Sequence, residues 1–314
     1  MSRSPSIARH RFAILTAAAT WVLLFLGGLV TSTGSGLAVP DWPLSFGQVF
    51  PAMVGGVLFE HGHRLAASTV GLLTLVLSIW TVGTEQRPGV RVLGIVMLVA
   101  VILQGVLGGV TVLYKLPMAV SVTHACLAQT FFCMTVSMAV VTGPAWGAPR
   151  TRPVELGAPL PAFAACTTAL VFVQLVLGAL VRHTGAALAI PDFPLAFGRI
   201  VPPFETSLVV IQFAHRMGAA AVVVASLTLA SIIFRHDPTG GRLRRLAGFE
   251  LGLLTAQVAL GASIIWTHRA VVPATTHLVV GAALLATCLV ITLRAARAAV
   301  PRDVAHDFRH AVPA

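Results

Sequence analysis

Long apolar stretches are the feature that most limits what this chain can fold into. Eight stretches of about 20 residues or more are almost free of charge, and a run of that length spans the hydrocarbon core of a membrane as a helix. Only 10% of the 314 residues are charged, whereas soluble domains carry about 25%. The sequence therefore predicts an all-α integral membrane protein with eight transmembrane helices. Their approximate bounds are 12–32, 58–83, 92–113, 118–142, 160–181, 207–234, 246–266 and 271–293.

Positive charge is distributed unevenly between the two sides of this eight-span arrangement. Most arginines precede span 1, follow span 8 or lie between spans 2 and 3, 4 and 5, or 6 and 7. The other connections hold only Lys115, Arg182, Arg199 and Arg269. Because positive residues stay on the cytoplasmic side, we expect a multi-pass protein of the cytoplasmic membrane with both termini in the cytoplasm. The net charge of +11 thus has a topological explanation and does not indicate a nucleic-acid partner.

The second half of the chain repeats the first. "TGSGLAVPDWPLSFG" at 33–47 matches "TGAALAIPDFPLAFG" at 184–198, and the histidines described below recur after 152 or 153 residues. Each copy holds four spans, so both copies have the same orientation in the membrane. We predict two four-helix bundles related by a pseudo-twofold axis along the membrane normal. The N-terminal bundle would cover 1–142, the cytoplasmic linker 143–159, and the C-terminal bundle with a short cytoplasmic tail 160–314.

Four histidines lie inside the predicted spans. His63, His124, His215 and His277 occupy spans 2, 4, 6 and 8 at similar depths towards the outer face. Ionisable residues within spans are costly and usually functional. Two imidazoles in one bundle can bind the two faces of a haem iron, whereas a bare metal ion normally needs a third or fourth ligand. We therefore predict one haem site in each half and expect the neighbouring His61 to be structural.

The two halves differ most at one charged position. Glu60 lies three residues before His63 on the same helix face, whereas the matching residue before His215 is Gln212. A carboxylate there is a candidate for proton or cation chemistry, and the alternative is a buried acid paired with an arginine such as Arg64. An arginine follows the histidine in both copies, as Arg64 and Arg216. These guanidinium groups are candidates to contact haem propionates or lipid headgroups.

Two other repeated features are expected to be structural. The pattern Q-xxx-G occurs at 104–108, 174–178 and 257–261, and its glycines would let helices approach closely. Asp41 and Asp192 stand in both loop copies and are expected to cap turns. The four cysteines all lie inside apolar spans, where they are expected to be small core residues.

These residues together resemble the haem A synthase family. The resemblance covers nearly the whole chain: eight spans, the "PDWP" outer loop, and the "E-x-x-H-R" signature at 60–64. It extends to "TH" in spans 4 and 8 and to "HR" in span 6. Members of this family convert haem O to haem A by oxidising one porphyrin methyl group to a formyl group. The resemblance therefore implies a membrane oxidoreductase of haem biosynthesis.

The resemblance also implies a division of labour between the halves. His63 and His124 would hold the iron of the substrate haem O, with Glu60 as the catalytic carboxylate at its edge. His215 and His277 would ligate the iron of a haem B cofactor in the C-terminal half. The partners implied are a haem O synthase that delivers haem O and terminal oxidase assembly factors that receive haem A. The protein would also contact membrane lipid. A homo-oligomer is left open.

One departure from the family pattern concerns cysteine. Many bacterial members carry a cysteine pair in the first outer loop, but those positions are Val39 and Ser45 here, and Ile190 and Ala196 in the second loop. A loop disulfide therefore cannot pass reducing equivalents in this chain.

Two other classes of function are compatible with part of the pattern. A dihaem b-type cytochrome that transfers electrons from quinol would also use two histidines per half, but it would hold two permanent haems of one type. A transporter built from parallel repeats would place polar clusters and broken helices in the middle of the membrane. The asymmetric Glu60 is the feature that distinguishes the synthase from the cytochrome.

Overall fold

The computed structural model describes residues 6–147, 160–236 and 241–299, and within these ranges the chain is helical with connecting loops and no β-strand. Eight of the helices are long and apolar enough to cross a membrane, which confirms the predicted fold class. The helices are α1 (Ile7–Ser32), α2 (Gly56–Thr84), α3 (Pro88–Leu113), α4 (Met118–Thr142), the four-residue α5 (Pro144–Gly147), α6 (Leu160–His183), α7 (Ser207–His236), α8 (Arg242–Trp266) and α9 (Val271–Ala299).

The helices extend beyond several of the predicted apolar stretches. Helices α1, α3 and α8 begin about one turn earlier, and α9 ends later, in segments that contain arginines. Helical hydrogen bonding does not require apolar side chains, and arginines at helix ends can extend towards lipid headgroups. Most of the predicted linker, 148–159, and the predicted tail, 300–314, lie outside the described residues. The division into two domains stays a prediction.

Each half of the chain packs mainly with itself. Helix α1 packs against α2 and α4, and α3 packs against the same two helices. In the second half, α6 and α8 each pack against α7 and α9. The halves meet where α1 and α4 contact α9 and where α4 contacts α6. The pseudo-twofold relation between the halves stays a prediction.

Arg182 links the two halves near the end of α6. Its Nη2 donates hydrogen bonds to the carbonyl oxygen of Gly28 and to Ser32 Oγ, both 2.6 Å away on α1. Thr31 occupies the matching position in the first half, and its hydroxyl donates back to Gly27 of its own helix at 3.2 Å. This connection between the halves is therefore one-sided, since a threonine cannot reach across as an arginine does.

A buried carboxylate between α2 and α3 connects helices at the end of the N-terminal half that lies away from the repeated loop. Glu85 accepts hydrogen bonds from Arg9 Nη2 at 2.6 Å and from Arg87 Nη2 at 2.8 Å. Arg87 also donates to the carbonyl oxygen of Val141 at the end of α4. Hydrogen bonds from Arg87, with the charge of Arg9, lower the pKa of Glu85 to about 2. One ionised carboxylate therefore ties α1, α3 and α4 together.

Candidate functional site

The two copies of the repeated loop fold around the same turn. Asp41 accepts hydrogen bonds from the backbone N–H groups five and six residues later, at 2.7 and 2.8 Å, and Asp192 accepts the same two at the same distances. These N–H groups stabilise the ionised carboxylates and hold the pKa of both aspartates below their ordinary value. The aspartates are turn caps, as the sequence predicted.

An arginine from the following helix holds each loop. Arg64 Nη1 on α2 donates to the carbonyl oxygen of Asp41 at 2.7 Å and to the carbonyl three residues further on at 2.9 Å. Arg216 on α7 donates to the Asp192 carbonyl and to the one three residues further on, both at 2.7 Å. The two guanidinium groups predicted near propionates thus bind loop backbone, and the propionate contact stays a prediction.

Glu60 and Gln212 occupy equivalent buried positions beneath these loops. Glu60 Oε2 accepts the N–H of Val39 at 2.8 Å, and Gln212 Oε1 accepts the N–H of Ile190. Glu60 Oε1 also forms a 2.6 Å ion pair with Arg64. The ion pair that the sequence left as an alternative is therefore formed. A neutral glutamine makes the same contact with the second loop, so holding a loop requires only a hydrogen-bond acceptor. The negative charge of Glu60 is therefore not needed for this contact.

A second contact between loop and helix also differs between the halves. Ser45 Oγ lies 2.8 Å from His61 Nδ1, and both residues are buried. The matching residues of the second half are Ala196 and Phe213, which belong to an apolar cluster with Ile190. His61 thus has a structural partner, as expected. The two positions at which family members were expected to carry cysteine are buried in both loops.

Each of the four predicted ligand histidines faces a glycine on the preceding long helix. The histidines lie about 9 to 12 Å along their helices, at 1.5 Å per residue, and each is half-buried as a residue. A side chain on any of these glycines would press against the imidazole, so the glycines make room for the rings. A Cβ atom would lie 3.0 Å from His63 Cε1 at Gly27, 3.3 Å from His124 at Gly108, 3.3 Å from His215 at Gly178, and 3.2 Å from His277 at Gly261.

Glutamines lie beside three of the four rings. Gln104 Nε2 is 3.3 Å from His124 Nε2, Gln174 Nε2 is 3.0 Å from His215 Nδ1, and Gln257 Nε2 is 3.2 Å from His277 Nε2. Sequence reasoning interpreted the Q-xxx-G pattern as helix packing alone and missed this contact. The signal was available, because the glutamines of α3 and α8 recur with the same 153-residue offset as the histidines they touch.

The spacing of His215 and His277 is compatible with a haem iron bound between their rings. The ring centroids of His215 and His277 lie 6.5 Å apart. Imidazole nitrogens bind first-row metals at about 2 Å, so two rings on opposite sides of one metal have centroids about 6 Å apart. Within the described ranges, no group of three or more His, Cys, Asp or Glu residues could hold a metal ion.

Comparison with known proteins identifies the family. The family model described as "Cytochrome oxidase assembly protein" (COX15-CtaA) matches residues 53–289. The chain belongs to this family. It is 34% identical to a haem A synthase of Symbiobacterium thermophilum, over 80% of this chain and 81% of that protein. It is 29% identical to a haem A synthase of Shouchella clausii, over 83% and 87%, and 28% identical to one of Geobacillus kaustophilus, over 96% and 97%.

The segment shared with the COX15-CtaA family contains all seven predicted site residues. It begins between the first outer loop and Glu60 and ends in α9 after His277. The structure brings Glu60 and Arg64 into direct contact beneath the first loop. It places the four histidines on α2, α4, α7 and α9, each opposite a glycine.

Proposed function

We propose that this chain is a haem A synthase, a multi-pass membrane oxidoreductase that converts the methyl group of haem O to the formyl group of haem A. Its family and the three relatives described above support this function. The four histidines and their glycine contacts supply matched positions for iron ligands in both halves. A dihaem cytochrome that only transfers electrons is not favoured by these comparisons.

We further propose that the halves have different roles. His63 and His124 hold the substrate haem O in the N-terminal half, and His215 and His277 hold haem B in the C-terminal half. When bound, these groups supply the redox chemistry and the reacting methyl group. The observation that carries the assignment is the pair Glu60 and Gln212, because equivalent loop contacts are made by a carboxylate in one half and by a neutral amide in the other.

Glu60 has a specific place in this proposal. Oxidation of a methyl group to a formyl group adds one oxygen atom at the level of water and removes four protons and four electrons. A carboxylate placed near the substrate can take up such protons. Glu60 is buried one helical turn before His63 and is held by Arg64 and by the N–H of Val39. These contacts fix the carboxylate at the base of the loop. We assign it as the proton acceptor and Arg64 as the residue that orients it.

The proposal includes an orientation and partners. Both termini lie in the cytoplasm, and the repeated loops cover the haem sites at the outer face. The two bundles, residues 1–142 and 160–314, are joined by the linker 143–159. Haem O arrives from a haem O synthase, and haem A passes to terminal oxidase assembly factors.

The variant Glu60→Gln tests the assignment of Glu60. A glutamine holds the second loop beside Arg216, so Glu60→Gln should keep the first loop in place while removing the charge. Loss of a positioned proton acceptor typically costs about 10²–10⁴-fold in rate. We expect haem extraction and chromatography to show at least about a 10²-fold lower rate of haem A formation, with unchanged haem content.

Gln212→Glu is the matched control. Because position 212 lies in the other half, this variant should keep the rate of haem A formation within about twofold of the parent rate. That change is much smaller than the loss expected when a proton acceptor is removed. Normal haem A formation by Glu60→Gln would refute the role of Glu60. Loss of bound haem from that variant would instead show that the carboxylate is structural.

A further inference from the structure

We propose that Gln104, Gln174 and Gln257 are positioning residues that orient the ligand imidazoles, and that Leu23 leaves His63 as the one ligand without such support. The N-terminal site would therefore release its haem more readily than the C-terminal site. This inference rests on the assignment of the four histidines as haem ligands. It adds a physical reason why one half exchanges its haem and the other retains it.

The four positions are equivalent in the fold. Each of the three glutamines lies nine residues before the last residue of its helix and four residues before the glycine that faces the histidine. Leu23 lies nine residues before the end of α1 and four before Gly27. Gly27 contacts His63 as Gly178 contacts His215. Leu23 thus stands where a fourth glutamine would complete the pattern.

The glutamines have the hydrogen-bonding groups that a ligand imidazole needs. A ring that binds iron through one nitrogen must give its other N–H to a partner, which fixes the orientation of the ring. Gln104 and Gln174 are anchored, because their Nε2 atoms donate to the backbone carbonyls of His124 and His215 at 3.1 and 2.8 Å. The Oε1 atoms of all three glutamines are buried and, among the residues that the structure describes, have no partner. The amide atom nearest each ring is Nε2, so a ring N–H would bind a glutamine side chain after the amide turns to present Oε1. His277 Nδ1 also lies 3.1 Å from the backbone carbonyl oxygen of Gln257.

His63 lacks this support. Its Nδ1 is buried and has no hydrogen-bond partner in the described part of the chain. The Nδ1 of His124 has none there either, but the Nε2 of His124 lies beside Gln104. The leucine at position 23 can neither donate nor accept a hydrogen bond, so it cannot hold the ring as a glutamine would. Loss of such an outer partner typically costs about 10–100-fold in metal affinity. The N-terminal site therefore has one supported ligand, His124, whereas the C-terminal site has two.

Reciprocal substitutions at Leu23 and Gln174 test this inference. The purified protein would be loaded with haem and mixed with excess apomyoglobin as a haem acceptor, and the transfer would be followed optically. We expect a fast phase from the N-terminal site and a slow phase from the C-terminal site. Leu23→Gln should slow the fast phase at least about 10-fold, and Gln174→Leu should speed the slow phase by a similar factor. Leu23→Ile, of the same volume and without a hydrogen-bonding group, should leave the fast phase unchanged.

An electron paramagnetic resonance spectrum of the oxidised protein supplies a second readout. Gln174→Leu should change the low-spin signal of one haem only. The leucine fills a similar volume but forms no hydrogen bond, so only the orientation of the His215 ring should change. Unchanged phases and spectra in both Leu23→Gln and Gln174→Leu, with haem bound, would overturn the inference. A protein whose haem content does not depend on His63 or His215 would instead refute the ligand assignment on which the inference rests.

Discussion

The two halves of this protein share a framework and differ in the groups that surround the candidate haem sites. Both have an aspartate-capped loop, an arginine bound to loop carbonyls, and histidines packed against glycines. Glu60 in the first half corresponds to Gln212 in the second, and Leu23 corresponds to Gln174. The shared contacts need only backbone geometry and hydrogen-bond acceptors. The differences alter charge and ligand support, which are the properties that determine reactivity and retention.

The first half therefore carries a buried carboxylate paired with Arg64 and a less restrained histidine. The second half has a neutral glutamine beside Arg216 at the loop base and a glutamine beside both rings. One half is suited to a substrate that must enter, react and leave. The other is suited to a cofactor that stays. The effect of this difference on stability should decrease from the loop arginines to the polar pair and then to the loop aspartates.

The largest difference between the halves should appear when the arginine that holds each loop is replaced. Arg64→Met leaves the buried carboxylate of Glu60 without its partner, which costs about 3–5 kcal/mol. Arg216→Met removes hydrogen bonds to loop carbonyls but strands no charge beside Gln212, and we expect about 1–3 kcal/mol. Thermal unfolding in detergent measures both.

Combining Arg64→Met with Glu60→Gln should recover most of the loss, because no charge is then left unpaired. Equal destabilisation by Arg64→Met and Arg216→Met would show that the ion pair adds nothing to the loop contacts.

A smaller effect is expected at the polar pair beneath the first loop. Ser45→Ala leaves His61 Nδ1 buried without its partner, which should cost about 1–3 kcal/mol. The double variant Ser45→Ala/His61→Phe copies the Ala196 and Phe213 pair of the second half and should recover most of that stability. A double-mutant cycle by thermal unfolding measures the coupling. Additive losses would mean that the two residues act independently.

The smallest difference should appear at the two loop aspartates, because their contacts are the same. The pKa of each is lower in the folded protein than the ordinary 3.8, so each stabilises its loop above about pH 3.8 and loses this contribution as the pH falls through the lowered value. Asp41→Asn and Asp192→Asn should thus be equally and slightly destabilising at pH 7, with both effects diminishing below pH 3.8. Protease sensitivity of the loops across this range measures them. Unequal effects would show that the loops are not equivalent.

The sequence was sufficient to predict the elements and the ligand candidates, because both depend on local pattern. Apolar length gave the eight helices, and the rarity of ionisable residues inside spans singled out the four histidines. The arginine-bearing ends of α1, α3, α8 and α9 were missed, because a hydropathy pattern follows the apolar core and not the helix itself.

The partners of the side chains could not be predicted in the same way. Glu60 was identified by its charge, but its bond to the N–H of Val39, and the equivalent bond of Gln212, depend on how each loop folds back over its helix. The Q-xxx-G pattern was recognised for its glycine, whereas its glutamine meets a histidine only when two helices are packed together. Spacing along a helix defines a face, and tertiary packing decides what that face touches.

Haem identity in two single-histidine variants tests the division of labour most directly. Haem would be extracted from purified His63→Ala and His277→Ala proteins and separated by chromatography. The account predicts that His63→Ala retains haem B and loses haem O and haem A, and that His277→Ala loses haem B and retains the others. Loss of the same haem from both variants, or the reverse pattern, would contradict it.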